Sequence, residues 1–295
     1  MIRFTALALT LLTAAASPLR APRAGSGAGD DLIVTTRPAR LVKGALGTIQ
    51  LRLPAGRNPE IVEGSAAGEP LHFHRQPNGR YTALIAAPIA GADTLRVSIV
   101  VDADTTVVRL ALAEGSYRHE QLRVAPKFAK PDSAAQVRIL GEIDQARAIS
   151  RHAHETPRLW QGAFLAPRPG RVTSRFGTAR EFNGEVQSRH MGTDFAGTVG
   201  APVRATNRGV VALVADFYLA GTAVYIDHGE GLVTGYFHLS RALVAPGDTV
   251  RRGQLIGRVG QSGRVTGPHL HWVARLGNVS VDPASLLTLG PESGS

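Results

Sequence analysis

Hydrophobic character alternates with a period of two along residues 31–124, in runs of strand length: "DLIVTTRPARL", "GTIQLRLP", "YTALIAAPI", "DTLRVSIVVD", "TTVVRLALA" and "HEQLRVAP". No other feature restricts the fold as much. A period of two lines apolar side chains along one face of a strand but scatters them around a helix. Val, Leu, Ile and Thr fill the runs, and Gly, Pro, Asn and Asp separate them. Short strands at this spacing predict a small antiparallel β-sandwich over residues 30–125.

The pattern then changes. Residues 126–131 read as a linker. The stretch "SAAQVRILGEIDQARAISRHAHET", residues 133–156, carries Val137, Ile139 or Leu140, Ile143 and Ala146 or Ile149 at roughly helical spacing. A helix is therefore expected inside a linker spanning 126–165. From residue 171 onward strand-like runs return, among them "GVVALVAD", "TAVYIDHG", "LVTGYFHL", "QLIGRVG" and "HLHWVARL". A second β-rich domain over 166–290 follows, and the fold class is mostly β.

Residues 1–23 have the form of a secretory signal: Arg3, a short apolar run over 4–12, then small residues over 13–17. The run is too short to span a bilayer unaided. The expectation is an exported protein, periplasmic or extracellular, without stable membrane insertion once the signal is removed. The chain has no cysteine, so any metal site must use histidine and carboxylate, a donor set that suits zinc. The net charge is +10. In a cytosolic protein that charge would suggest nucleic acid. Here the basic residues are scattered and the chain is expected to be exported, so no nucleic-acid partner is expected; anionic cell-wall polymers and a plainly solvated surface both fit.

Ten histidines are present, and their placement is uneven. "RHMGTDF" holds His190 and Asp194, "YFHLS" holds His238, and "PHLHW" holds His269 and His271. If residues 190–194 form a strand, His190, Gly192 and Asp194 share a face, with Gly192 leaving room above it. His269 and His271 likewise share a face. Neighbouring strands would then offer three or four ligands over a short distance. A catalytic zinc takes three protein ligands, so one or two imidazoles would be left for proton transfer and oxyanion stabilisation. The other histidines read as structural. His72 and His74 suggest edge-strand polarity. His152 and His154 fall on the helix, where positions two apart do not share a face. His119 and His228 stand alone, the latter at a strand end where it would cap a turn.

The stretches "SRFGTAR", "HMGTDFAGTVGAPVRATNRGVV", "VYIDHGEGLVTGYFHLS", "VAPGDTVRRGQLIGRVGQSGRVTGPHLHW" and "VDPASLL" follow one another in order over residues 172–287. In them this half of the chain resembles the lysostaphin/LytM-type zinc metallopeptidases, which cut peptide bonds in peptidoglycan. The resemblance implies an antiparallel β-sheet peptidase domain with a groove. It implies His190, Asp194 and His271 as zinc ligands, and His238 and His269 beside the metal water as general base and oxyanion donor in either assignment. It implies Zn2+ as cofactor and peptidoglycan peptides as partner, with the D-alanyl–diaminopimelate cross-link preferred over a glycine bridge. Some relatives carry a tyrosine shortly before the first zinc histidine. This chain has "EFNGEVQSRH" there, and Asn183 is the candidate to take its place. Thr266 and Gly267 belong to a turn that fixes His269 and lines the groove, and "FYLAG" over 217–221 is expected to reshape one groove wall. The N-terminal strand pattern is similar to immunoglobulin-like domains. The expected function is a zinc-dependent endopeptidase. The alternatives are a non-catalytic cell-wall regulator, such as the activator of a wall amidase, and a metallopeptidase acting on other proteins.

Overall fold

A computed structural model describes residues 32–289, apart from residue 185 and the side chains of 186 and 187. The expected signal peptide at 1–23 lies outside the described residues. The alternating N-terminal runs form two sheets. One has the order Ile33–Arg37, Leu46–Arg52, Tyr81–Ala86, His74–Arg75. The other has the order Leu41–Val42, Asp104–Ala113, Thr94–Val101, Val62–Ala66, Glu69–Pro70. Thr94–Val101 shows why the pattern works: Leu95, Val97, Ile99 and Val101 are buried while their neighbours face out. They meet Ile49, Leu51 and Ile85 of the facing sheet in one core. Each such side chain contributes about 1.5–3 kcal/mol by leaving water. The sandwich is thus present, with each sheet mixing early and late strands.

The last alternating run leaves the sandwich. His119–Leu122 pairs in parallel with Ala179–Phe182, which pairs in turn with Val186–Arg189. This three-stranded sheet ties the end of the N-terminal half to the C-terminal half and borders the groove described below.

The expected helix runs from Ser133 to His152. Asp132 caps it, its side chain accepting a hydrogen bond from the Ala135 amide at 2.8 Å. The apolar spacing does not lead to burial along its whole length. Ala146 and Ile149 in its C-terminal half pack against a cluster that includes Tyr225 and Phe237, and Ala135 is buried in its first turn. Val137 is 71% exposed and Leu140 62%. No helix among the described residues is long and apolar enough to cross a membrane.

A ten-stranded sheet organises the C-terminal half. Its main path is Val172–Ser174, Thr193–Ala196, His269–Leu276, Leu232–Ala242, Gly221–Gly229, Gly209–Phe217, Thr249–Val250. Every pairing in it is antiparallel. Trp272, Tyr236, Ile226, Leu239 and Leu270 form its core. Trp160 and Phe164, which the sequence placed in the linker, are buried in the same core, so the linker's end belongs structurally to this half.

Three histidines that were read as structural, His72, His74 and His154, make contacts between the halves. His72 Nε2 lies 2.9 Å from His154 Nδ1, and His154 Nε2 lies 3.0 Å from Glu69 Oε2. His74 contacts the Glu230 carboxylate, which also accepts from Arg158 Nε at 3.1 Å. Sequence spacing shows neighbours along one strand or helix only; these partners are 72 to 156 residues apart.

Candidate metal centre and groove

Asp194 and His271 stand directly opposite each other on neighbouring antiparallel strands. Facing positions in such a pair bring side chains of the same face together. His190 reaches them differently from the expectation. It lies in the break between Val186–Arg189 and Thr193–Ala196, so a chain bend, not the strand pleat, delivers it. Gly192 permits the close approach of the neighbouring strand. A Cβ there would lie 2.5 Å from the Trp272 carbonyl oxygen and 2.6 Å from His271 Cε1. The space above Gly192 is taken by the neighbouring strand itself.

Three ligand atoms converge. His190 Nε2 is 3.0 Å from Asp194 Oδ1 and 2.9 Å from His271 Nδ1, and His271 Nδ1 is 2.7 Å from Asp194 Oδ1. Among the described residues this is the one group of three or more potential ligands so close together. His190 and Asp194 are only 2% and 5% exposed. Burying a carboxylate raises its pKa, but the hydrogen bonds and charges of His190 and His271 outweigh this and hold Asp194 well below the usual carboxylate range. Burial pushes His271 down to about 4, keeping it neutral with a lone pair to give.

Supporting contacts fix this triangle. His190 Nδ1 is 3.0 Å from the Arg175 carbonyl, to which it donates, so Nε2 presents a lone pair to the cluster. Arg180 Nη2 donates to Asp194 Oδ2 at 2.6 Å, leaving Oδ1 to face the histidines. Arg180 also donates to Ser174 Oγ at 3.0 Å, and Ser174 Oγ donates to Glu120 Oε2 at 3.0 Å. Glu120 comes from the strand His119–Leu122, so the N-terminal half supplies part of the support. The sequence reading missed Arg180, Ser174 and Glu120. No motif marks them, because each acts across a strand pairing.

The donor set fits a tetrahedral zinc site. Two neutral imidazole nitrogens and one carboxylate oxygen lie within reach of a single ion with bonds of about 2.0–2.2 Å, and a fourth position remains.

His238 and His269 lie beside this group, their rings 4.9 Å apart, with the His238 ring 5.7 Å from that of His271. His238 Nδ1 donates to the Ser262 carbonyl at 2.8 Å, and His269 Nδ1 donates to the Gly267 carbonyl at 2.8 Å. Each therefore keeps Nε2 as an acceptor. His238 adopts φ of 62°, a strained region for a residue with a side chain. Burial, then His271 and His269, push its pKa well down.

All five residues line one groove of about 760 Å³. Thr266 and Gly267 line it as expected, and Leu219 and Ala220 bring the "FYLAG" segment to its wall. Asn183 is placed elsewhere. Its side-chain amide donates to the Val124 carbonyl at 2.9 Å and its oxygen accepts from the Val124 amide at 3.0 Å. It is an exposed turn residue with φ of 54° that fastens the chain at Val124, just before the linker, and it is not part of the groove lining.

A family model described as peptidase family M23 matches residues 188–283. Peptidoglycan DD-endopeptidase ShyB of Vibrio cholerae serotype O1 is 42% identical over 182 residues, covering 61% of this chain and 41% of that protein. DD-carboxypeptidase/endopeptidase Mpg of Neisseria meningitidis serogroup B is 41% identical over 122 residues, or 41% of this chain and 28% of that protein. The chain thus spans less than half the length of these relatives. A crystal structure of a putative peptidase M23 from Pseudomonas aeruginosa superposes with a TM-score of 0.66 at 26% identity, covering 84% of this chain and 95% of that one.

Proposed function

We propose that the protein, which matches the model of peptidase family M23 over residues 188–283, is a zinc-dependent endopeptidase that hydrolyses peptide cross-links of bacterial peptidoglycan in the cell envelope. The observation that carries this reading is the convergence of His190 Nε2, Asp194 Oδ1 and His271 Nδ1 beside two further histidines whose Nε2 atoms remain acceptors. The D-alanyl–diaminopimelate cross-link is the preferred bond, in keeping with the relatives named as DD-endopeptidases.

His190, Asp194 and His271 would hold the zinc. When bound, zinc supplies a Lewis acid that polarises the scissile carbonyl and acidifies water. His238 Nε2 or His269 Nε2 takes the proton of the attacking water and returns it to the leaving nitrogen. The histidine not acting as base donates a hydrogen bond to the developing oxyanion only as the imidazolium, because its neutral form keeps the proton on Nδ1. The carbonyls of Ser262 and Gly267 hold the Nδ1 protons and so leave Nε2 of each ring ready to accept the water's proton. Arg180 keeps Asp194 from turning its second oxygen inward.

The test pairs metal content with activity. The purified chain is analysed for bound zinc and incubated with purified sacculi, and the released muropeptides are separated. About one zinc per chain, lost in His190→Ala, together with conversion of cross-linked dimers to monomers, is the expected result. Intact cross-links with no bound zinc would replace this reading with the non-catalytic regulator.

A further inference from the structure

The groove holds an imbalance of charge. Among the described residues, Glu120 and Asp194 are its only acids, against Arg171, Arg180, Arg189 and Arg264. Both acids are engaged internally. Glu120 accepts from Ser174 and lies 3.6 Å from Arg180 Nε, and Asp194 is held by Arg180 and the metal-site histidines. Among the remaining arginines, Arg189 donates to the Gly177 carbonyl at 3.1 Å, and Arg171 is exposed.

Arg264 is different. Its guanidinium lies over the Phe182 ring, 4.3 Å from the centroid, and its backbone amide donates to the Leu219 carbonyl at 2.8 Å. The planar fork is thus held in place. It is half-buried, yet it has no carboxylate or carbonyl partner among the described residues. Burial and the neighbouring Arg180 both lower its pKa, which shows how little compensates its charge. A desolvated cation without a partner is costly, and the cost is recovered when an anion arrives. Arginine geometry matches a carboxylate through two parallel N–H donors.

We infer that Arg264 is a specificity-determining residue that binds a free carboxylate of the peptide substrate. The inference rests on the proposed endopeptidase reading and refines it. In a D-alanyl–diaminopimelate cross-link, the carbon bearing the acylated nitrogen also bears a carboxylate. That group lies close to the scissile bond, and a glycine bridge offers no equivalent there.

The experiment compares two cross-linked dimers that differ only in having a carboxylate or a carboxamide at that carbon. KM and kcat are measured for the wild-type chain, Arg264→Gln and Arg264→Lys. The wild type should show a KM on the order of tenfold or more higher for the carboxamide, with kcat nearly unchanged. Arg264→Gln should treat both dimers alike, and Arg264→Lys should keep part of the preference. Cleavage of both dimers by the wild type with equal KM, or a preference surviving in Arg264→Gln, overturns the assignment while leaving the peptidase reading intact. The wild-type comparison needs no variant, so misfolding of a substituted chain does not obscure it. If the wild type cleaves neither dimer, the peptidase reading fails instead. Calorimetric binding of the same two dimers then decides: a carboxylate preference lost in Arg264→Gln supports the subsite, and equal binding overturns it.

Discussion

Acid should weaken the C-terminal half through one residue outside the groove. His228 is fully buried, with its ring 5.3 Å from Phe164. Its Nδ1 donates to the Arg208 carbonyl at 2.8 Å, and its Nε2 accepts from the Thr234 hydroxyl at 2.8 Å. Burial, only partly offset by the Arg208 carbonyl, lowers its pKa from 6.5 to about 4. The unfolded chain then binds the proton more readily than the folded one. Above pH 6.5 both states are neutral and stability is unaffected. Below 6.5 stability falls, and the loss levels off below about 4. From these two values the loss is about 2 kcal/mol at pH 5 and about 3 kcal/mol once both states are protonated. His228→Asn keeps a donor near Nδ1 and removes the titration. It lowers stability at neutral pH through the lost Thr234 contact, but its stability should change less with pH. The assay is denaturant unfolding followed by tryptophan fluorescence. The chain has two tryptophans, Trp160 and Trp272, both buried in this half's core, so the signal reports on this half. Wild type should lose about 2 kcal/mol more than His228→Asn between pH 7.5 and 5. Parallel curves for the two proteins would refute the assignment of this acid sensitivity to His228.

Other expectations concern the site. Arg180→Gln frees Asp194 Oδ2 and should weaken zinc binding about 10- to 100-fold, read by competition with a chromogenic chelator. His238→Ala and His269→Ala should each lower kcat on the order of 100-fold or more while elemental analysis still finds zinc; loss of zinc in either would place that histidine among the ligands. Gly192→Ala forces a Cβ against the Trp272 carbonyl and should cost about 1–3 kcal/mol of stability together with zinc affinity, measured by melting and metal content. At the contact between the halves, Glu230 has its pKa lowered by its hydrogen bond with His74 and by Arg158 despite burial. Its contribution is present above pH 4.5 and is lost as pH falls through its lower folded value, so below pH 4.5 stability should fall more steeply in the wild type than in Glu230→Gln, measured by denaturant unfolding.

The strands of the sandwich and of the large sheet were legible because a period of two is a local property, visible in any eight residues such as "TLRVSIVV". The match to the M23 family model was legible in long ordered motifs, and the two histidines of "PHLHW" lie on one strand, as expected, beside the others of the set. Helical spacing was also local, and Ser133–His152 formed where expected, but spacing says nothing about what a helix meets, and Val137 and Leu140 met solvent. Asn183 was placed in the groove by analogy of position; the fold turned it toward Val124 instead. The tertiary structure alone decided the rest. Ser174 reaches the centre because its strand pairs with that of Asp194, and Glu120 reaches Ser174 and Arg180 because His119–Leu122 leaves the sandwich to pair with Ala179–Phe182. Arg264 was set over Phe182 by a loop packing on a strand far from it in the chain. The sequence by itself determined which residues could bind a metal and which segments would be strands, because those depend on residue type and near neighbours. Which side chains hold those ligands in place, and which cation in the groove lacks a partner, depend on contacts between distant segments, and these exist only once the chain is folded.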